Sequence, residues 1–319
     1  MWTKIILLLF FITHLYSETL EIKNITFITE NDADFRNDND YTYGSELGAL
    51  FYRKDLSNSF LHIPFTDYKN QDNYLSFSYA QKIYTPKDLE AATLISDDRA
   101  YAGYMYIKSS LHQASQDSLQ SLSLQLGMVG PATKMDKVQE VIHSLIGSDD
   151  PQGWKYQLKN EFIMQLNYSH KEYMELSETI ALIPEYGFEL GNASTKIYAM
   201  TFLRWGENLP EDYGSTQISN TNYNKVPRRL NQKYLNRWSY CFNFSFKGNL
   251  IARDIFLDGN SFRDSHSVEK NIFVAEVGYG FSLNYEKFSI EYLRKHLSDA
   301  FKTQERYPNY GSLVCSYNF

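Results

Sequence analysis

The chain contains only two cysteines, and beyond its first residues it has no run of the ~20 consecutive apolar residues that a membrane-crossing helix requires. It has no Gly-x-Ser-x-Gly elbow, no zinc-spaced His/Cys cluster and no phosphate-binding glycine loop. These absences argue against a helical membrane protein, the common serine hydrolases, a zinc enzyme and a nucleotide-phosphate enzyme. They favour chemistry in which water is activated, because no serine nucleophile can be nominated. Positive charge is also in short supply. Lys and Arg total 31 against 38 Asp and Glu, a net charge of −7, so nothing points to nucleic acid as a partner.

What the chain does have is an exported beginning and an abundance of aromatics. A cationic start, Met1-Trp2-Thr3-Lys4, leads into an apolar run from Ile5 to Ile12 and a small residue at Ser17. That pattern predicts a secretory signal over 1–17 and a mature domain over 18–319. The aromatic fraction is 16%, with 26 Tyr and 21 Phe, yet the mean hydropathy is only −0.45. Export, aromatic richness and low hydropathy together suit a barrel whose strands are apolar at alternate positions only. A soluble periplasmic β-protein is the competing reading.

Period-two alternation recurs along the chain. Leu75, Phe77 and Tyr79 alternate with Ser76 and Ser78, and Leu122, Leu124 and Leu126 with Ser121, Ser123 and Gln125. Tyr198, Met200 and Phe202 form another run, and Phe288, Ile290 and Tyr292 alternate with Ser289 and Glu291. In Trp238–Phe246 the aromatics share one face and Cys241 takes the other, whereas Cys315 lies on the aromatic face of the closing strand. If aromatics face lipid, the two thiols point to opposite sides and do not pair. The closing strand ends on Phe319, an ending typical of outer-membrane barrels; a β-sandwich has less reason to end this way.

Strands are expected near 21–30, 44–53, 73–82, 101–110, 120–129, 162–172, 175–188, 194–204, 237–257, 273–284, 287–296 and 311–319. The fold class is therefore all-β, a transmembrane antiparallel up-and-down barrel of about twelve strands, an even number as such barrels require. Parity places 31–43, 83–100, 130–161, 189–193, 258–272 and 297–310 outside the cell. It leaves 205–236 as an unusually long periplasmic turn. One stretch breaks the pattern: Val138, Val141, Ile142, Leu145 and Ile146 recur at helical spacing before Gly147, predicting a short helix in an extracellular loop.

Three outer segments concentrate polar residues. Glu30-Asn31-Asp32-Ala33-Asp34 with Asn37-Asp38-Asn39-Asp40-Tyr41-Thr42 suits either a solvated turn or a calcium site, and Asp149 and Asp150 lie where they could add a ligand. His143 shares a helical face with Gln139, and an imidazole there can take a proton near neutral pH. Asp98-Arg99, with Arg263 and Lys270 in another loop, suits phosphate contacts or a salt bridge that stiffens the rim. The basic run Lys225, Arg228, Arg229, Lys233 and Arg237 falls on the periplasmic side by parity and stays outside the site.

In order and spacing, Asn31-Asp32, Asp40-Tyr41-Thr42 with Gly44, Asp98-Arg99-Ala100-Tyr101, Val129-Gly130-Pro131, Gln139, His143, Gly147, Trp154, Gln157 and Leu257-Asp258-Gly259-Asn260 form a specific set. With these the sequence resembles the outer-membrane lipid A 3'-O-deacylases known as LpxR, over essentially the whole mature chain. The resemblance implies a calcium-dependent hydrolase at the outer rim that releases the 3'-linked acyloxyacyl group of lipid A. It implies Asp32, Thr42 and Asp149 at the metal, His143 as general base, and Gln139 and Asn31 beside it. Arg99, Arg263 and Lys270 are candidates for the glucosamine phosphates. The expected partners are lipopolysaccharide and outer-membrane lipids, with no nucleic acid, and a closed barrel can work as a monomer. An outer-membrane phospholipase and a non-enzymatic porin or surface-binding barrel remain as alternatives.

Overall fold

The computed structural model describes residues 20–32, 40–54, 62–64, 66, 70–147, 150–218, 225–228, 238–305 and 308–319. The expected signal segment 1–17 lies outside them. Strand β1 (Leu20–Asn31) pairs antiparallel with β2 (Asp40–Arg53) on one side and with the last strand, β13 (Asn309–Asn318), on the other. The ladder continues through β3 (Asp72–Thr85), β4 (Ala102–Ala114), β5 (Ser118–Val129) and β6 (Glu161–Glu172). In the other direction it runs through β12 (Phe288–Leu297), β11 (Phe273–Tyr285), β10 (Trp238–Asp254), β9 (Ser194–Glu207) and β8 (Ile180–Gly191). β6 then pairs with β8, Gln165 opposite Gly191, and the sheet closes.

A short strand, β7 (Met174–Ser177), extends the line of β6 past Tyr173 and also pairs with β8, so the closed ring has twelve strands. The expected single strand over 175–188 is in fact a hairpin that reverses at Glu178 and Thr179. That pair lacks the Asn-Gly or Asp-Gly signature of a tight hairpin turn, which is why periodicity ran straight through it.

The wall follows the alternation. Trp238, Tyr285, Phe288 and Tyr317 stand opposite one another across β10 to β13, forming one outward row at the end of the barrel where β1 begins, here the lower end. Rows of this kind match the aromatic girdles of barrels at a membrane–water boundary. Inward positions are small or polar: Ser239, Cys241, Asn243 and Ser245 are all buried. Cys241 is buried and Cys315 exposed, both unpaired with each other, as alternation requires.

The segment after β9 departs from expectation. It leaves the lower end but does not form a turn there: its described parts lie inside the barrel. Asp212 Oδ1 sits 2.7 Å from Arg204 Nη2, and the Tyr213 hydroxyl donates to the carbonyl of Ser115 in the lower turn between β4 and β5. Further along, Gln217 accepts from Lys295, and the Ile218 N–H donates to Glu30 Oε1 at 3.1 Å, near the upper end of β1. The chain returns with Lys225, 3.1 Å from Asp212 Oδ2, and Arg228, whose guanidinium lies 3.5 Å from the Tyr173 ring centre. Lys225 and Arg228 are thus structural, while Arg229, Lys233 and Arg237 lie outside the described residues.

This luminal segment explains a second departure. Tyr198 and Phe202 face the lumen rather than lipid, and Phe202 packs with Tyr213, Val226, Tyr74 and Leu50 in one buried cluster. From above, the four-residue helix α2 (Ile255–Asp258) closes the mouth; Phe256 stacks on Tyr84 with ring centres 4.0 Å apart and shares a cluster with Ile28 and Ile218.

Two outcomes follow. Leu124 is 46% exposed in the middle of β5, so Leu124→Arg should cost about 2–4 kcal/mol of folding stability in lipid vesicles, measured by denaturant titration. Burial opposes ionisation of Asp212, but Arg204 and Lys225 outweigh it and hold the carboxyl below its ordinary value. Its folded value is depressed, so its contribution is complete above the unfolded value near pH ~3.9 and fades as pH falls through the folded value. Asp212→Ala should therefore lower stability at pH 7 by about 3–5 kcal/mol and flatten the acid limb of a stability-against-pH curve.

Candidate active site on the outer wall

Helix α1 (Met135–Ile146) lies in the loop between β5 and β6 and rests on the outside of the barrel, against β3 and β4. Its start is fixed by an unusual turn: Gly130 has φ 100° and Lys134 φ 60°. The first turn comes so close to the wall that a side chain on Gly103 of β4 would stand 2.6 Å from Met135 Cβ. The helix ends at Gly147, in the left-handed conformation, whose N–H returns to the His143 carbonyl. Met135 packs with Ile83, Tyr101 and Trp154, and with Tyr43 and Val138 at the margin, forming a small core between helix and wall.

The buried face of α1 is not its purely apolar stripe. Val141 is 61% exposed, while Gln139 and His143 are buried. Burying two polar side chains on a surface helix is costly unless they are bonded. They are: Trp154 Nε1 donates to Gln139 Oε1 at 2.8 Å, and Gln139 Nε2 stands 3.4 Å from His143 Nε2. The indole can only donate, so it fixes the amide with its NH2 toward the imidazole. An NH2 group favours a ring nitrogen that carries a lone pair, so this contact sets Nε2 as the acceptor nitrogen of His143.

Asn31 is the cross-strand partner of Tyr43, which belongs to the core under α1, so Asn31 lies on the same outward face. Between Tyr41 and Tyr43 the register of β2 on β3 slips by one residue. Such a bulge re-aims the extra side chain, and here it brings Thr42 Oγ1 to 2.6 Å from Thr85 Oγ1. Asp32 is buried just beyond the end of β1. The structure thus gathers Asn31 and Thr42 on the stretch of wall beside α1, with Asp32 at its edge. Asp149, like 33–39, lies outside the described residues. Among the described residues there is no cluster of three or more His, Cys, Asp or Glu arranged around a metal position.

The expected phosphate contacts are placed differently from one another. Arg99 is buried, its Nε 3.0 Å from Asp40 Oδ1, with its guanidinium 5.8 Å from the Tyr84 ring centre and 5.4 Å from that of Phe301. Lys270 Nζ is 2.8 Å from Asp258 Oδ1, and Arg263 is exposed. Asp98 accepts from the backbone N–H of Arg99 and of Lys87; burial pushes its carboxyl above the ordinary value, against those two donors. Thr85 and the Asp40–Arg99 pair were not singled out as a unit by sequence. Only the bulge and the buried ion pair, both non-local, reveal them.

A family model for the outer membrane protein LpxR matches residues 5–319. No curated protein matches the chain. Among solved structures, LpxR from Salmonella typhimurium superposes with a TM-score of 0.74 at 17% identity, covering 93% of this chain and 100% of that one. At that identity the superposition speaks for the fold. The β domain of the Bordetella autotransporter BrkA covers 94% of this chain and 100% of its own at 10% identity and a TM-score of 0.45, too low to carry an argument. Taken with the closed twelve-strand wall, the match along nearly the full length establishes that this chain belongs to the outer membrane protein LpxR family and is a multi-pass β-barrel of the outer membrane.

Proposed function

We propose that the chain is a hydrolase that removes the 3'-O-linked acyloxyacyl group from lipid A, with His143 as general base. One observation carries the reading: the buried Gln139–His143 pair of α1 lies against the lipid-facing side of the wall, beside the face that bears Asn31 and Thr42. A lipid ester approaching from the bilayer would meet this side of the wall, where α1 covers His143 at 2% exposure. The porin reading is disfavoured by the lumen, which in its described parts is filled by Tyr213–Ile218, Lys225–Arg228 and α2.

In the reaction, water attacks the ester carbonyl carbon while a ring nitrogen of His143 takes its proton. The carbon–oxygen bond to the sugar then breaks, and the imidazolium returns the proton to the departing sugar hydroxyl. Gln139, held by Trp154, orients the imidazole, and its NH2 would give way at Nε2 to the attacking water, whose proton that lone pair receives. Asn31, Asp32 and Thr42 offer amide, carboxylate and hydroxyl oxygens, the hard donors that calcium takes, and Asp149 would complete the set. Calcium held there would polarise the carbonyl and offset the negative charge that develops on its oxygen. Arg263 and Lys270 would meet the glucosamine phosphates at the mouth, and Arg99 would act through its pair with Asp40. The closed wall needs no second copy.

Mass spectrometry of lipid A incubated with the folded protein tests this directly. With calcium a 3'-acyloxyacyl group should be lost; chelator should abolish the loss, and His143→Ala should slow it roughly 100- to 10,000-fold. Intact lipid A alongside cleaved phosphoglycerides would move the assignment to a phospholipase. Trp154→Phe keeps the ring but frees the Gln139 amide, and should lower kcat about fivefold, the value of one hydrogen bond of about 1 kcal/mol.

A further inference from the structure

The outward side of β1 and β2 carries the proposed site, and the inward side of the same strands meets the luminal segment. Glu30, immediately before Asn31 and Asp32, is the residue at which the two sides are joined. Its side chain is buried in the lumen, 1% exposed. It accepts three hydrogen bonds from three separate parts of the chain: Tyr41 Oη at 2.8 Å, the Ile218 N–H at 3.1 Å and Ser312 Oγ at 3.2 Å. Tyr41 directly precedes the bulged Thr42, Ser312 sits opposite Glu30 on β13, and Ile218 belongs to the luminal segment. The seat is close: a side chain on Gly44 would stand 3.1 Å from Ile218 Cδ1.

We propose that Glu30 is a positioning residue, tying the luminal segment to β2 and β13 and so fixing from beneath the spacing of Asn31 and Thr42 on the opposite side of the wall and of Asp32 at its edge. The need for such a tie is local. A bulge leaves one residue out of the ladder, so the backbone pairing that sets register elsewhere is interrupted at Thr42. Hydrogen bonds to a carboxylate are about twice as strong as neutral ones, and three of them converge on Glu30, whose cross-strand partner Gly44 lies two residues from the gap. The inference rests on the function proposed above only for its catalytic consequence.

The test compares Glu30→Ala, Glu30→Gln and Tyr41→Phe with wild type in the full-length, membrane-embedded protein, using hydrogen exchange and calcium titration of lipid A cleavage. In Glu30→Ala, exchange at residues 30–32 and 40–44 should quicken tenfold or more, while α1 and β8–β11 keep wild-type protection. The calcium concentration for half-maximal cleavage should rise about tenfold, with KM for lipid A within twofold. Glu30→Gln, which retains one acceptor and can donate to Tyr41, should recover part of both effects. Unchanged exchange at 30–32 and 40–44, or protection lost evenly around the barrel, overturns the proposal. Should Glu30→Ala fail to fold, Tyr41→Phe decides, with the same pattern at smaller size expected and no local change overturning it. If wild type cleaves no lipid A, the functional reading falls, and hydrogen exchange alone still decides the positioning role.

Discussion

A hydrocarbon layer offers no hydrogen-bond partner, so every backbone N–H and C=O in the wall must be paired within the wall itself. Two pairings make that possible here: β1 with β13, and β6 with β8. Without either, the sheet would present two raw edges to lipid. Closure also makes alternation strict, because a slip of one residue would exchange the lipid and lumen faces of a whole strand. The outward row Trp238, Tyr285, Phe288 and Tyr317 and the opposite placement of Cys241 and Cys315 are consequences of that single requirement.

Closing the wall creates a second problem, since inward residues are removed from bulk water. Buried charges are costly unless paired, and the lumen pairs them: Lys108 with Glu46 at 3.1 Å, Lys171 with Glu185 at 2.8 Å, Lys295 with Glu276 at 2.5 Å. The luminal segment adds partners the wall lacks, Asp212 for Arg204 and Gln217 for Lys295, and covers the inward rings of Phe202 and Tyr74. Among the described residues, the lumen is thus occupied by paired charges and by the luminal segment. Under the proposed activity such packing has a use, because a catalytic constellation must be held to within about 0.5 Å.

The wall was legible in the sequence because period-two alternation is a local signal, and so was α1, whose helical period stands out among strands. The interior was not. For the segment after β9, length was the only hint; whether a loop folds outward or into the lumen is decided by partners such as Arg204 and Lys295, far away in sequence. Alternation in Tyr198, Met200 and Phe202 was real, but periodicity does not say which face meets lipid, and here the luminal segment made the inward face apolar. The bulge at Thr42 leaves no compositional trace. Asp98-Arg99 suited either a phosphate contact or a stiffening ion pair, and the pairing with Asp40 could be read only from the fold. The helix departs from its apolar stripe: Val141 is exposed, while Gln139 and His143 are buried alongside Met135.

Placing the site on the outer wall rather than in the lumen has an energetic reason under the proposed activity. A lipid drawn into the barrel would lose the hydrocarbon around its acyl chains, at about 0.8 kcal/mol for each CH2 exposed to water. A site under α1 leaves the chains in the bilayer and moves only the ester and sugar to the catalytic groups. That arrangement requires the groups to be fixed on a surface that faces a fluid. One side of the wall is covered by α1, whose small core of Met135, Trp154, Tyr101 and Ile83 grips it from the lipid side. The other side is gripped by the luminal segment through Glu30 and Gly44. At this point a single layer of strands is held from both faces, by α1 outside and by the luminal segment inside, which is how a wall one sheet thick can fix side chains that a soluble enzyme would fix in its core.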